Sequence, residues 1–324
     1  MAPRIAVVIP NWNGRRWLPG CLRSLAAQTR KPDETIIVDN GSTDGSVEYL
    51  RSHHPDVRVV AMGHNTGFAR AANAGLEQAH AEAVALVNTD VELEPNWIER
   101  MERALEADPS AASAACKMLD LQDPTLVYDA GDVLRRDGAC EQRGRFEHDD
   151  PCWDEPGEVF GACAGAALYR RDPVIALGGF DERYFTYLED VDLALRLRLA
   201  GWRCRYEPVV ARHAGEGSSV HLSRPQGYWV ERNTLLLVAK AFPLRWAPWV
   251  AYRQLGWAWH ALRERRLGAH LRGAAAALRP MRSVLRERRA LRRDARVALD
   301  EVVPARPIRG HEAGGHRSRH AVAR

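Results

Sequence analysis

Four short apolar runs alternate with amphipathic stretches over the first 110 residues, and no other feature limits the fold of this chain as much. Residues 5–9, 34–38, 57–62 and 83–87 have the length and β-branched content of strands. The first and fourth are continuously apolar, as strands covered on both faces are. Between them, residues 16–28 set Trp17, Cys21, Leu22 and Leu25 at helical spacing, 46–52 predict a short helix, and 67–79 are Ala-rich. Pro95 opens a further helix over 95–107, a residue suited to a first turn. Strand and helix in alternation predict an α/β fold. Its sheet is Rossmann-like, mostly parallel, doubly wound and flanked by helices.

Beyond residue 110 the pattern loosens. Residues 111–160 mix strand-like pieces, turn residues and the acids of 147–150, and predict an antiparallel extension with a mobile loop. Residues 161–222 hold a Gly-Gly-Phe-Asp turn, a helix over 189–200, a strand near 203–208 and His213. From Tyr228 the chain reads as helical, with Trp229, Trp246, Trp249, Trp257 and Trp259 ahead of an Arg-rich stretch over 263–296. Residues 304–324 are rich in Pro, Gly, His and Arg and predict disorder.

Charge divides the chain. Residues 240–324 carry 20 Lys/Arg against 6 Asp/Glu, whereas the remainder carries 26 against 36. An acidic body argues against a nucleic-acid groove, and no recognition motif accompanies the arginines. The six cysteines form no CxxC pair and show no zinc spacing, which suits a reducing cytoplasm. No leader is read at the start, and no uncharged stretch reaches the length of a membrane span, so a cytoplasmic protein is expected.

Ligands of an open parallel sheet bind beyond the carboxyl ends of its strands. Three such ends carry polar clusters here: Pro10-Asn11-Trp12-Asn13-Gly14, Asp39-Asn40-Gly41-Ser42-Thr43-Asp44, and Asn88-Thr89-Asp90. Taken singly, each is also what a capped turn looks like. Together they mark one edge. Asp39 suits a ribose hydroxyl or a base N–H, and Asp90 suits a hard divalent cation bridging a diphosphate. The absence of GxGxxG in this unit disfavours a dinucleotide. Further on, Tyr187 precedes Glu189, Asp190 and Asp192 at a helix start. These acids are more than a cap requires, and clustering raises pKa values toward those of a general base. His213 is either structural or a further metal ligand.

The order of these clusters resembles the inverting family 2 glycosyltransferases, and in particular their rhamnosyltransferase-like branch. The resemblance rests on Val8 to Gly14, Ile37 to Ser46, Asn65-Thr66-Gly67-Phe68-Ala69 with Asn73 and Gly75, Leu86 to Asp90, Gly178 to Glu182, and Glu189 to Leu193 leading to Gly201-Trp202. It covers residues 4–240 and implies a glycosyltransferase A-type fold: a nucleotide-sugar half over 1–110, an acceptor half over 111–240, then a basic helical extension over 241–303.

By resemblance, Pro10, Asn11, Asn13, Asp39, Asn65, Gly67, Phe68, Asn73, Asn88 and Thr89 bind a dTDP- or UDP-linked donor. Asp190 is the general base, with Glu189, Asp192 and Tyr187 on the acceptor side. Asp90 and His213 hold Mg²⁺ or Mn²⁺. The family's metal motif is often Asp-x-Asp, and Asn88 stands at its first position here. The implied acceptor is a glycan or lipid-linked hydroxyl, with rhamnose among the sugars implied. A metal-dependent nucleotidyltransferase and a non-catalytic carbohydrate- or partner-binding protein are the rival readings. The first is disfavoured by the lack of a Gly-rich phosphate loop after the first strand.

In the C-terminal region, Leu278, Met281 and Leu285 follow helical spacing beside Arg279, Arg282, Arg286 and Arg289. Such a helix either packs on the main domain or a second copy, or lies on an anionic membrane at its inner face.

Overall fold

The computed structural model describes residues 4–215 and 222–305. Its first half comprises β1 (Ile5–Asn11), α1 (Leu18–Ala26), β2 (Glu34–Asp39), α2 (Ser46–His53), β3 (Arg58–Ala61), α3 (Phe68–Gln78), β4 (Ala83–Val87), β5 (Val91–Leu93) and α4 (Trp97–Glu106). The elements expected here are present, with ends moved by no more than two residues. Pro95 lies just outside its helix, and its carbonyl accepts from Thr29 N at 2.7 Å. β3, β2, β1 and β4 lie side by side in parallel. Side chains alternate across β1, so Ile5, Val7 and Ile9 pack against α1 and α4 while Ala6 and Val8 face α3.

The second half adds β6 (Ala111–Asp120), β7 (Val127–Asp129), β8 (Asp132–Leu134), β9 (Cys140–Gln142), β10 (Gly157–Val159), β11 (Ala166–Arg170), α5 (Arg171–Ala176), α6 (Glu189–Leu199) and β12 (Arg203–His213). The main sheet runs β3-β2-β1-β4-β11-β6-β12-β10. The strands of 111–160 pair antiparallel as expected, except that β6 is parallel to β12. β6 is no appended strand: it enters the middle of the sheet, antiparallel to β11 and parallel to β12. Its Ala-rich run has little β-branched character, and burial on both faces overrides that propensity. β12 also runs past its expected end, to His213.

The described residues finish in α7 (Gln226–Ala241), α8 (Ala247–Arg263), α9 (Leu267–Asp294) and α10 (Leu299–Val302). A third apolar cluster joins Tyr184, Val191, Leu195 and Leu199 to Leu236, Leu237, Val250, Ala277, Val284 and Val303. The extension expected from residue 241 therefore shares its core with α6. No helix among the described residues is long and apolar enough to cross a membrane. The expectation for 304–324 falls, apart from its first two residues, outside the described residues.

Candidate active site

A cleft of about 520 Å³ opens at the carboxyl ends of β1, β2 and β4. Pro10, Asn11, Asn65, Gly67, Phe68, Asn88 and Thr89 line one side, with Trp12 and Asn40. The register pairs Asn11 with Asp39, which lets Asn11 Nδ2 donate to Asp39 Oδ1 at 2.9 Å and to Ser42 Oγ at 3.0 Å. Asn11 Oδ1 is buried without a partner. Asn40 ties the next loop, accepting from Thr66 N and donating to Asn65 Oδ1.

Three of the expected donor contacts stand outside this lining. Asp39 is buried behind Asn11 and also accepts from Ser42 N. Asn13 accepts from Thr43 N. Asn73 both donates to and accepts from the Phe180 backbone at 2.8 Å, pinning the Gly-Gly-Phe-Asp turn onto α3. Each braces the wall rather than facing the cleft.

β5 pairs antiparallel with β12 so that Val91 opposes His213, and this register sets Asp90 beside the imidazole. His213 Nε2 lies 3.2 Å from Asp90 Oδ1, with both residues buried. Nδ1 of His213 has no hydrogen-bond partner, and the Tyr128 ring meets the imidazole edge-on at 4.3 Å. Among the described residues, no group of three His, Cys, Asp or Glu side chains has metal-holding geometry. Two protein donors still fit a divalent cation whose remaining ligands are phosphate oxygens and water.

Tyr187, Glu189 and Asp190 share the lining of the same cleft with Asp132. Burial raises the pKa of Asp190 against the backbone N–H groups of Ala164 and Val191, at 3.2 and 2.8 Å, which hold the charged form. Burial, reinforced by the Asp190 charge, raises Asp129, Asp132 and Glu189 as well. Asp129 Oδ2, Asp132 Oδ2 and Glu189 Oε2 are buried without partners. Asp190 thus has backbone donors that oppose the effect of burial, whereas the charge of Asp190 adds to burial at its three neighbours.

Asp192, expected on the acceptor side, is not in the cleft. It is fully buried and binds Arg196 Nε at 2.7 Å, Lys240 Nζ and the Tyr184 hydroxyl. Lys240 also pairs with Asp181. Burial opposes the Asp181 charge, but Arg183 and Lys240 overcome it and hold its pKa below the usual carboxylate range.

Phe185, Tyr187 and Leu188 have φ of 65°, 67° and 66°, a left-handed loop with no glycine directly ahead of the acids. Asn233, fully buried on α7, donates from Nδ2 to the carbonyls of Tyr184, Thr186 and Tyr187 at 3.0, 2.8 and 2.7 Å. Phe185 stacks on Trp229 at 4.8 Å. A Cβ on Gly67 would lie 2.6 Å from the Phe185 ring, so the glycine lets the two walls meet. Sequence reasoning missed Tyr128, Asp129, Asp132, Phe185 and Asn233. The one signal was Asp129-Ala130-Gly131-Asp132, which reads as a turn.

The family model described as glycosyl transferase family 2 matches residues 6–178. The chain belongs to glycosyl transferase family 2. This family 2 enzyme is 30% identical over 284 residues to the N-acetylglucosaminyl-diphospho-decaprenol L-rhamnosyltransferase of Mycobacterium tuberculosis, covering 76% of this chain and 89% of the relative. It is 31% identical over 211 residues to the pre-mycofactocin glycosyltransferase of the same organism, covering 63% of this chain and 41% of that protein.

Among solved structures, the family 2 enzyme resembles GalNAc-T7 with UDP, GalNAc and Mn²⁺ at a TM-score of 0.58 and 15% identity, covering 74% of this chain. It spans 48% of that structure's chain. It also resembles the Pyrobaculum calidifontis mannosyltransferase PcManGT with GDP-Man and Mn²⁺, at 0.52 and 20% identity, covering 90% of this chain and 85% of that one. These likenesses show the glycosyltransferase A-type fold. Family membership makes the chain a glycosyltransferase, which displaces both rival readings.

Proposed function

We propose that the enzyme moves a sugar, with inversion, from a nucleoside-diphosphate donor to a hydroxyl of a lipid-carried glycan. The observation that carries this is the Asp190 carboxylate, which accepts from backbone N–H groups in the cleft that Asp90 and His213 also line. The similarity to a rhamnosyltransferase acting on a diphospho-decaprenol favours L-rhamnose and a lipid diphosphate acceptor.

Asn11, Asn40, Asn65 and Phe68 form the donor wall. Asp90 and His213 would hold a divalent cation such as Mg²⁺ or Mn²⁺ against the donor diphosphate. When bound, such a cation supplies positive charge to the departing diphosphate. Asp190 takes the proton from the acceptor hydroxyl as its oxygen bonds to the anomeric carbon. The bond from that carbon to the diphosphate breaks, and the nucleoside diphosphate leaves with the electron pair. A single displacement of this kind inverts the anomeric centre. Tyr187, Glu189 and Asp132, which line the same cleft, would orient acceptor hydroxyls.

The test is a donor screen with dTDP- and UDP-sugars and a polyprenyl-diphosphate N-acetylglucosamine acceptor. Nucleoside diphosphate release and the product's anomeric configuration are both measured. Release with dTDP-L-rhamnose and an inverted product is expected. Retained configuration, or no release with any nucleotide sugar, overturns the proposal.

A further inference from the structure

α8 presents an apolar face to each side. Val250 packs into the third cluster, and Arg253 Nε binds Asp137 at 2.8 Å. The opposite side carries Trp249, Tyr252, Leu255, Trp259 and Leu262, which are 52%, 82%, 71%, 63% and 50% exposed. At helical spacing they share an arc of about 140°. α8 contains no acidic residue.

α9 repeats the arrangement. Gly273, Ala277 and Val284 form its packed line, while Leu271, Leu278 and Leu285 are exposed on the other side. Arg272, Arg279, Arg282, Arg286 and Arg289 are exposed within about 100° of those leucines. Met281, grouped with Leu278 and Leu285 on sequence, is instead half-buried against the third cluster. Among the described residues, the ion pairs of α9 involve His270, Glu287, Arg293 and Asp294, and these five arginines enter none.

We propose that these outward faces of α8 and α9 dock the enzyme on an anionic membrane surface. Trp249, Tyr252 and Trp259 are amphipathic rings suited to the headgroup boundary, and the arginines meet lipid phosphate. Charge selects this occupant over a second copy of the chain. Self-pairing would set five unpaired arginines against five more, with only Glu287 and Asp294 on each α9 to offset them. Spanning is not required, since an interfacial helix lies in the headgroup plane. The inference does not depend on which sugar is transferred.

The experiment uses the full chain, its Trp249→Ser/Trp259→Ser variant and its Arg279→Gln/Arg282→Gln/Arg286→Gln variant. All substituted side chains are exposed, so the fold is expected to persist. Each protein is sedimented with phosphatidylcholine vesicles, with and without phosphatidylglycerol, at low and high salt. Light scattering is run in parallel. The wild type is expected to partition onto anionic vesicles and to be released by salt. The arginine variant is expected to bind on the order of 10²-fold more weakly at low salt, and the aromatic variant to lose binding as well. Equal partition onto both vesicle types, or unchanged binding by either variant, overturns the proposal. So does a wild-type dimer that the aromatic variant converts to monomer, because a second copy would then cover the face.

Discussion

The Asn233 amide nitrogen sits 2.7 Å from the carbonyl oxygen of Tyr187, three residues before Asp190. It also reaches the carbonyls of Tyr184 and Thr186, so one side chain on α7 holds a loop whose left-handed turns would otherwise relax. Asn233→Asp keeps the volume and removes the donors. Its kcat is expected to fall roughly 10- to 100-fold while the KM for donor changes little, because a small misplacement of the base costs this much. Steady-state kinetics with donor and acceptor varied separately checks it. A change confined to donor KM would remove Asn233 from the positioning role.

Asp190 and Asp192 predict opposite phenotypes. Asp190→Asn is expected to fold normally and to lose about 10²–10⁴-fold in turnover. In the wild type, activity is expected to be lost as pH falls through the pKa of Asp190, with the acid limb of kcat/KM shifted upward because burial raises that pKa. Asp192→Asn takes one of two carboxylates from the buried Lys240, which keeps Asp181, and removes the charge facing Arg196. It is expected to destabilise the fold by less than the roughly 3–5 kcal/mol of a fully unpaired buried charge, with modest loss of turnover in the folded fraction. Urea melts and pH–rate profiles of both variants separate the roles.

Asp129 makes stability depend on pH. Burial and the Asp190 charge push its pKa up to about 7, so the folded chain binds more protons than the unfolded one above the ordinary carboxylate range. Stability therefore falls as pH rises from that range through about 7. Asp129→Asn keeps an oxygen for Gly131 N, at 2.7 Å in the native protein. The variant is expected to exceed wild type by more than about 1 kcal/mol at a pH above that window, the worth of one pKa unit, and to match it below. Parallel slopes of urea midpoint against pH would refute this.

Chelation tests the Asp90–His213 pair. Turnover is expected to vanish in excess chelator and to return with Mg²⁺ or Mn²⁺. His213→Ala is expected to raise the metal concentration needed by roughly tenfold or more. Mn²⁺ binding in the presence of nucleoside diphosphate, followed by spin resonance, reads the same pair without turnover. Full activity in chelator would assign the leaving group's charge to a basic residue such as Arg145, which lines the cleft.

The nucleotide half was legible because β1 and β4 are continuous apolar runs with polar residues at their ends, a contrast visible without any fold. β6 was not, because alanines carry little strand signal and only its neighbours in the sheet make it a strand. Asp192 looked like Asp190 on sequence, yet two positions on a helix turn side chains about 200° apart. One therefore faces the cleft and the other faces Lys240. Asp132 and Asn233 stayed hidden because the start of β8 and a helix far along the chain reach the cleft and the loop ahead of α6 only through tertiary packing.

The third apolar cluster has a consequence for where this enzyme begins and ends as a cooperative unit. The match to the family model stops at residue 178, ahead of Asp190, His213 and β12. What melts together reaches further, since Val250, Ala277, Val284, Val302 and Val303 close over Leu195 and Leu199. A chain cut after residue 240 would expose that surface, at roughly 1.5–3 kcal/mol for each large side chain uncovered. Calorimetry is expected to show one transition for the full chain and no sharp transition for the shortened one. The family model and the shared apolar core thus mark out different lengths of the same polypeptide, and the arginine-rich helices belong to the second.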